Sequence, residues 1–200
     1  MTPLTPSRPV ELDTSLWRYA QTLYRRQGVS SACLELQSRI GLDVCVLIFA
    51  LYATHGHRAL SPEALANADK GLKAWREQVV LPLRQIRQAM KLGVHEVGSE
   101  LNNWVREQVK ITELSAEQVA IAYLDRQIVC LPNANESQDM HLRGFEHTLQ
   151  CVLAHFAQMN GHLLGTLEVP DVRIAAELLV GEAEGLQHAE ADEISWDSKD

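Results

Sequence analysis

No apolar run in this chain is long enough to cross a bilayer. The longest, Val44 to Ala53, is about half of the ~20 residues that a span needs. The opening Met1-Thr-Pro-Leu-Thr-Pro-Ser-Arg-Pro9 lacks the apolar core of a secretion signal. Cysteine is sparse. Cys33, Cys45, Cys130 and Cys151 stand far apart, so neither a zinc-type Cys pair nor a disulfide-stapled scaffold is expected. Reduced thiols in a cytoplasmic protein are the expectation. Sustained apolar/polar alternation is missing, which argues against strands. So are a glycine-rich phosphate loop, a dinucleotide fingerprint and a Gly-x-Ser-x-Gly elbow. Basic residues interleaved with aromatics are also missing. With a net charge of -8, that makes nucleic acid an unpromising partner. No cofactor is expected.

What is present is ordinary globular material, 46% hydrophobic and 22% charged. The charge is uneven. Glu182, Glu184, Glu190, Asp192, Glu193, Asp197 and Asp200 face a single Lys199, a net of -6, which leaves -2 for residues 1–181. Three regions are expected: a flexible, proline-rich arm over 1–12, a helical domain over 13–181 and a disordered acidic tail over 182–200.

Punctuation and periodicity make the domain all-α, a single irregular bundle of eight or nine helices. Any of Asp13 to Ser15 can cap a first helix that ends at Gly28. Ser30 to Ile40 is a second, stopped by Gly41. Asp43 caps Val44 to Thr54, which is apolar on every side and is therefore expected as the buried central helix. His55-Gly56-His57 reads as a loop. Ser61-Pro62-Glu63 opens a further helix, with Gly71 as a break before a long basic one. Pro82 should bend that basic helix. Helices are expected from His95 to Lys110 and from Ser115 to Leu131, the latter opened by the capping box Ser115-Ala-Glu-Gln118. Two additional helices are expected within 139–181, from Asp139 to Met159 and from Pro170 to Val180, the latter ended by Gly181.

The basic helix carries the strongest pattern. At 100° per residue, Lys70, Lys73, Arg76, Arg84, Arg87 and Lys91 share one arc. Leu72, Trp75, Val79, Leu83, Ile86 and Met90 form the neighbouring stripe. Guanidinium groups three and four residues apart suit phosphate or carboxylate surfaces. The first functional expectation is therefore a non-catalytic adaptor. It would meet an acidic protein surface, or its own acidic tail, through Lys73, Arg76, Arg84, Arg87 and Lys91, with Trp75 as anchor. The plainer reading is a solvated helix face, or arginines paired with acids on other helices. The second expectation is an enzyme or small-molecule binder with a pocket of Arg18, Gln37, Asp43 and Arg76 for a phosphorylated or carboxylated ligand.

Weaker constellations complete the survey. His147, Cys151 and His155 share one side of a helix, which makes His147 and Cys151 a slight metal candidate. The apolar stripe Leu142, Phe145, Leu149, Val152, Phe156, Met159 and Leu163 lies opposite, so this side is expected to face solvent or to make a weak contact. Glu96, Glu100 and Glu107 form an acidic helix face without the second carboxylate helix that a di-metal site needs.

Over about residues 16–131 the chain resembles an uncharacterised, mainly proteobacterial family of small all-helical proteins. The match rests on Leu16-Trp17-Arg18-Tyr19, Gly28-Val29, Ala32 to Gln37, Gly41 to Val44, Trp75-Arg76, Val79 to Arg84 and Arg87 to Lys91. Cys45 departs from it, standing where an asparagine is expected. The resemblance implies a helical fold and no activity. Oligomeric state is left open.

Overall fold

A computed structural model describes residues 12–91, 98–134, 144–162 and 164–197. Residues 1–11 of the expected arm, His95, Glu96, residues 139–143, Leu163 and the last three residues lie outside these ranges. Among the described residues the chain is all-helical, with no strand.

Local chemistry sets the first helices. Thr14 accepts from the Trp17 amide and starts α1 (Ser15–Tyr24), which buries Leu16, Tyr19, Ala20 and Leu23. Gly28 and Gly41, both left-handed, bracket α2 (Val29–Ile40). Gly41 also lets Asn160 approach, so that its Nδ2 donates to the Ile40 carbonyl at 2.8 Å. Asp43 accepts from the amides of Cys45 and Val46 and opens α3 (Val44–His55). This helix is buried around its whole circumference, from Val46 to Leu51 and at Ala53, and packs on neighbours on several sides. Each such side chain contributes roughly 1.5–3 kcal/mol through burial.

Ser61 and Pro62 start α4 (Pro62–Trp75), which runs straight through Gly71 instead of breaking there. A π turn follows over Arg76–Val80, and α5 (Leu81–Lys91) continues from it. Pro82 has no amide proton to give the carbonyl four residues back. The Leu81 amide instead reaches the Arg76 carbonyl, five residues back. A π turn takes an extra residue to complete a turn, so everything beyond it is rotated relative to a straight helix. The single arc drawn for Lys70 to Lys91 therefore does not exist. Ile86, assigned to the packing stripe, is half exposed, and α5 buries no residue completely.

Helix α6 (Ser99–Ile128) is one element, not two. Ser115 lies inside it and its hydroxyl donates to the Ile111 carbonyl, while Gln118 donates to the Leu12 carbonyl. The capping box is not formed. Helix α5 lies along α6, with Asn102 Nδ2 donating to the Met90 carbonyl. Helix α7 (Phe145–Met159) buries Phe145, Leu149, Val152 and Phe156, whereas Met159, expected inside, is exposed. Helix α8 (Pro170–Asp197) does not stop at Gly181. Val172, Ala175, Leu179, Ala183 and Leu186 are buried at three- and four-residue spacing, so the same inward stripe carries the helix past the glycine. The expected mobile tail from Glu182 is thus replaced, as far as Asp197, by helix. Arg26 of the N-terminal half reaches Glu182 at 2.9 Å. No helix of the described residues is long and apolar enough to cross a membrane.

Candidate functional site

The rotation after the π turn decides where the basic residues go. Arg76 sits at its start and points Nη1 at two carboxylates, Asp43 Oδ2 and Asp69 Oδ1, each at 2.8 Å. Beyond the turn, Arg84 faces α6, with Nε 2.9 Å from Glu113 and Nη2 2.5 Å from Glu117. Arg87 donates to both oxygens of the same Glu113. Glu113 is buried, and the three arginines are each at least three-quarters withdrawn from water. The outward-facing basic stripe is therefore corrected. Its arginines face acids of their own chain, and Lys70, Lys73 and Lys91 remain as the exposed cations. Trp75 is not a free anchor either, because its Nε1 donates to the Ala116 carbonyl at 2.9 Å.

The charges tune one another. Burial disfavours ionised Glu113, but hydrogen bonds from Arg87 and Arg84 outweigh it and hold the carboxyl below its ordinary range. Glu117 goes the other way. Burial raises it, Arg84 compensates incompletely, and the neighbouring Glu113 charge adds to the rise. Burial works against the charge of Arg76 as well, yet its two aspartates keep the guanidinium firmly protonated. Cys45, partly buried, lies in the same neighbourhood. Its pKa lies well above the usual value through burial first, then the charges of Asp43 and Glu117.

Asp43, Cys45, Asp69, Arg76, Arg84 and Glu117 line a groove of about 920 Å³ between α2, the start of α3, α4, the π turn, α5, α6 and α7. Asp43, Arg76 and Asp69 stand together in it, and His155 Nε2 of α7 closes the chain at 3.0 Å from Asp69 Oδ2. Leu42, Val44, Leu72, Trp75, Val80 and Phe156 supply apolar wall. Gln37, Asp43 and Arg76, three of the four pocket residues expected from sequence, line this one hollow. Arg18 does not. It lies on the outer side of α1, two-thirds exposed and paired with Asp13 at 3.8 Å. The lining charge also differs from expectation. Glu35, Asp43, Asp69, Glu77 and Glu117 outnumber Lys73, Arg76 and Arg84, five to three.

His155 is not turned to solvent as expected, since Asp69 of α4 draws it in. His147 and Cys151 meet each other at 3.4 Å, and burial raises the Cys151 thiol. No group of three potential metal ligands occurs among the described residues.

Asp69, Glu113 and Glu117 are absent from the sequence-derived sites. Asp69 left a readable sign, an acid on the inward stripe of Leu65, Ala68 and Leu72. Glu113 and Glu117 left a fainter one, carboxylates four apart that match Arg84 and Arg87 only once α5 lies beside α6.

A family model described as a protein of unknown function (DUF2390) matches residues 15–124, more than half of the chain. The chain belongs to that family. No curated protein and no solved structure matches it.

Proposed function

We propose that this DUF2390 protein is a small-molecule binder whose site is the groove above Asp43, Arg76, Asp69 and His155. One observation carries the reading. A largely buried arginine is fixed by two aspartates in a concave site, and both of its hydrogen bonds leave from Nη1. Nη2 and Nε remain as oriented donors for a ligand acceptor. The surplus of carboxylates disfavours a phosphorylated ligand and favours an ammonium group. The ligand class is therefore a small organic amine with a carbonyl or hydroxyl acceptor for Arg76 and an apolar body for the wall around Val44, Trp75 and Phe156. No catalytic residue is assigned. A cytoplasmic location suits four cysteines that form no disulfide.

The adaptor reading, with an acidic partner on Lys73, Arg76, Arg84, Arg87 and Lys91, has less support, since its three arginines already have acidic partners within the chain.

Phenylalaninamide carries all three ligand features and serves as the probe. Titrated into labelled full-length protein, it should shift the amides of Gln37, Asp43 and Asp69 and the Trp75 indole. Phenyl phosphate should not. Ser38→Trp, placed at an exposed position on the groove lining, should block the shifts without lowering the melting temperature. Undisturbed groove resonances with phenylalaninamide, or equal binding of phenyl phosphate, would reject the assignment.

A further inference from the structure

A second hollow, of about 600 Å³, adjoins the groove and lies between α1, α2, α5 and α6. Seven residues line both hollows and form their common wall, Leu34, Gln37, Cys45, Arg84 and Glu117 among them. The balance of charge is reversed here. Arg25, Arg84, Arg87, Arg106 and Lys110 line it against Glu113 and Glu117, five cations to two carboxylates.

Arg84 and Arg87 are held by the two glutamates, so the surplus rests on Arg25, Arg106 and Lys110. Among the described residues, the ion pairs of Arg106 and Lys110 are to Glu107, at 3.1 and 3.4 Å, and Glu107 is not part of the lining. The Arg106 Nε is enclosed from solvent and has no hydrogen-bond partner. The Arg106 guanidinium and the Lys110 ammonium leave positive charge in the hollow that no lining carboxylate matches, and an organic anion would supply the match. The same hollow exposes apolar surface. Leu34 and Leu114 are 61% and 52% exposed, and Trp17 and Ile121 lie with them.

We infer that this hollow binds a small amphipathic organic anion, its carboxylate on Arg106 and Lys110 and its apolar body against Trp17, Leu34 and Leu114. The site is distinct from the amine groove, takes a ligand of the opposite charge and stands whether or not the groove binds anything. The ligand is a free molecule of low mass, not a bilayer. The hollow is a cleft between helices, and a flat lipid surface could not enter it.

Decanoate below its micelle concentration tests this with the full chain. It should shift the resonances of Trp17, Leu34, Arg106 and Lys110 in a saturable titration, and decyltrimethylammonium should leave them in place. Arg106→Gln and Lys110→Glu should each weaken decanoate binding by about tenfold, the loss expected for one charge-assisted hydrogen bond, with little change in thermal stability. Neither residue is buried in the core, and Lys110 is exposed, so both variants are expected to fold. Equal binding of the cationic surfactant, undiminished affinity in both variants, or shifts confined to the outer face of α6 at Leu101 and Trp104 would overturn the site. Binding to anionic vesicles in preference to monomeric decanoate would overturn the free-ligand assignment.

Discussion

Single residues carry the electrostatics of this molecule, and two glutamates one turn apart behave in opposite ways. Glu113 has a lowered pKa. Its stabilising contribution is present above the ordinary carboxylate value of about 4.3 and is lost as pH falls through its own lower value. Glu117 has a raised pKa. Its protonated form is the favoured one, so its contribution is present below the ordinary value and is lost as pH rises through the higher one. Glu113→Gln should lower stability by about 3 kcal/mol at neutral pH, because it leaves Arg84 and Arg87 poorly matched. It should also flatten the acid limb of urea midpoints measured between pH 3 and 7. Glu117→Gln should remove the stability lost on going from acid toward neutral pH. Identical profiles for the two variants would contradict this assignment. The cysteines give a second test. Burial pushes Cys33 up to about 11, with a small opposing hydrogen bond from Tyr24, and Cys45 is higher than normal as well. In folded protein, Ellman's reagent should label the exposed Cys130 first. Cys33 and Cys45 should react only on unfolding. A burst of more than two thiols would contradict the packing around α3.

Helices and their ends were largely readable, because caps are local chemistry. Thr14, Asp43, Ser61-Pro62 and the left-handed Gly41 act where the residue types place them, whereas Gly28, expected to end the first helix, opens the second, because α1 stops at Tyr24. What escaped reading depends on packing or on phase. Ser115 resembles a cap, but a serine also tolerates a helix interior when its hydroxyl reaches the carbonyl four residues back. Gly181 resembles a stop, but Ala183 and Leu186 gain more from burial than the glycine costs. The π turn is the most consequential miss. It turns Arg84 and Arg87 toward α6 and Ile86 toward solvent, and Pro82 was its one visible cause. Gly41→Ala is the clearest test at this scale. Its left-handed φ of 67° and the approach of Asn160 both oppose a Cβ. The loss should be about 1–2 kcal/mol, read from chemical denaturation. Asn160→Ala combined with it should cost less than the sum of the two, because the same contact is removed twice. Strict additivity would show that the α2–α7 contact contributes nothing.

At the scale of the whole molecule, the helical class was legible and the site only in part. Gln37, Asp43 and Arg76 were expected in one pocket and line one groove. Asp69 of α4 joins them, bonded to His155 of α7, and no local pattern could bring those two helices together. The charge of the hollows was not legible at all, since it depends on which acids each cation meets across helices. The core resists change in a way that bears on any variant used to probe binding. Leu47→Ala, at a fully buried position of α3, should cost about 2–5 kcal/mol and lower the melting temperature. Substitution at Ser38 or Lys110, on the rims, should not.

The central claim is that Arg76, Arg84 and Arg87 are enclosed by carboxylates of the same chain and thereby shape two hollows of opposite charge. Phenylglyoxal modification of the native protein, mapped by mass spectrometry, tests it directly. Arg18 and Arg173, each about two-thirds exposed, should be modified first, and Arg76, Arg84 and Arg87, held by carboxylates, should react many times more slowly. Modification of these three at the rate of Arg18 would place them on an open basic face and contradict the account.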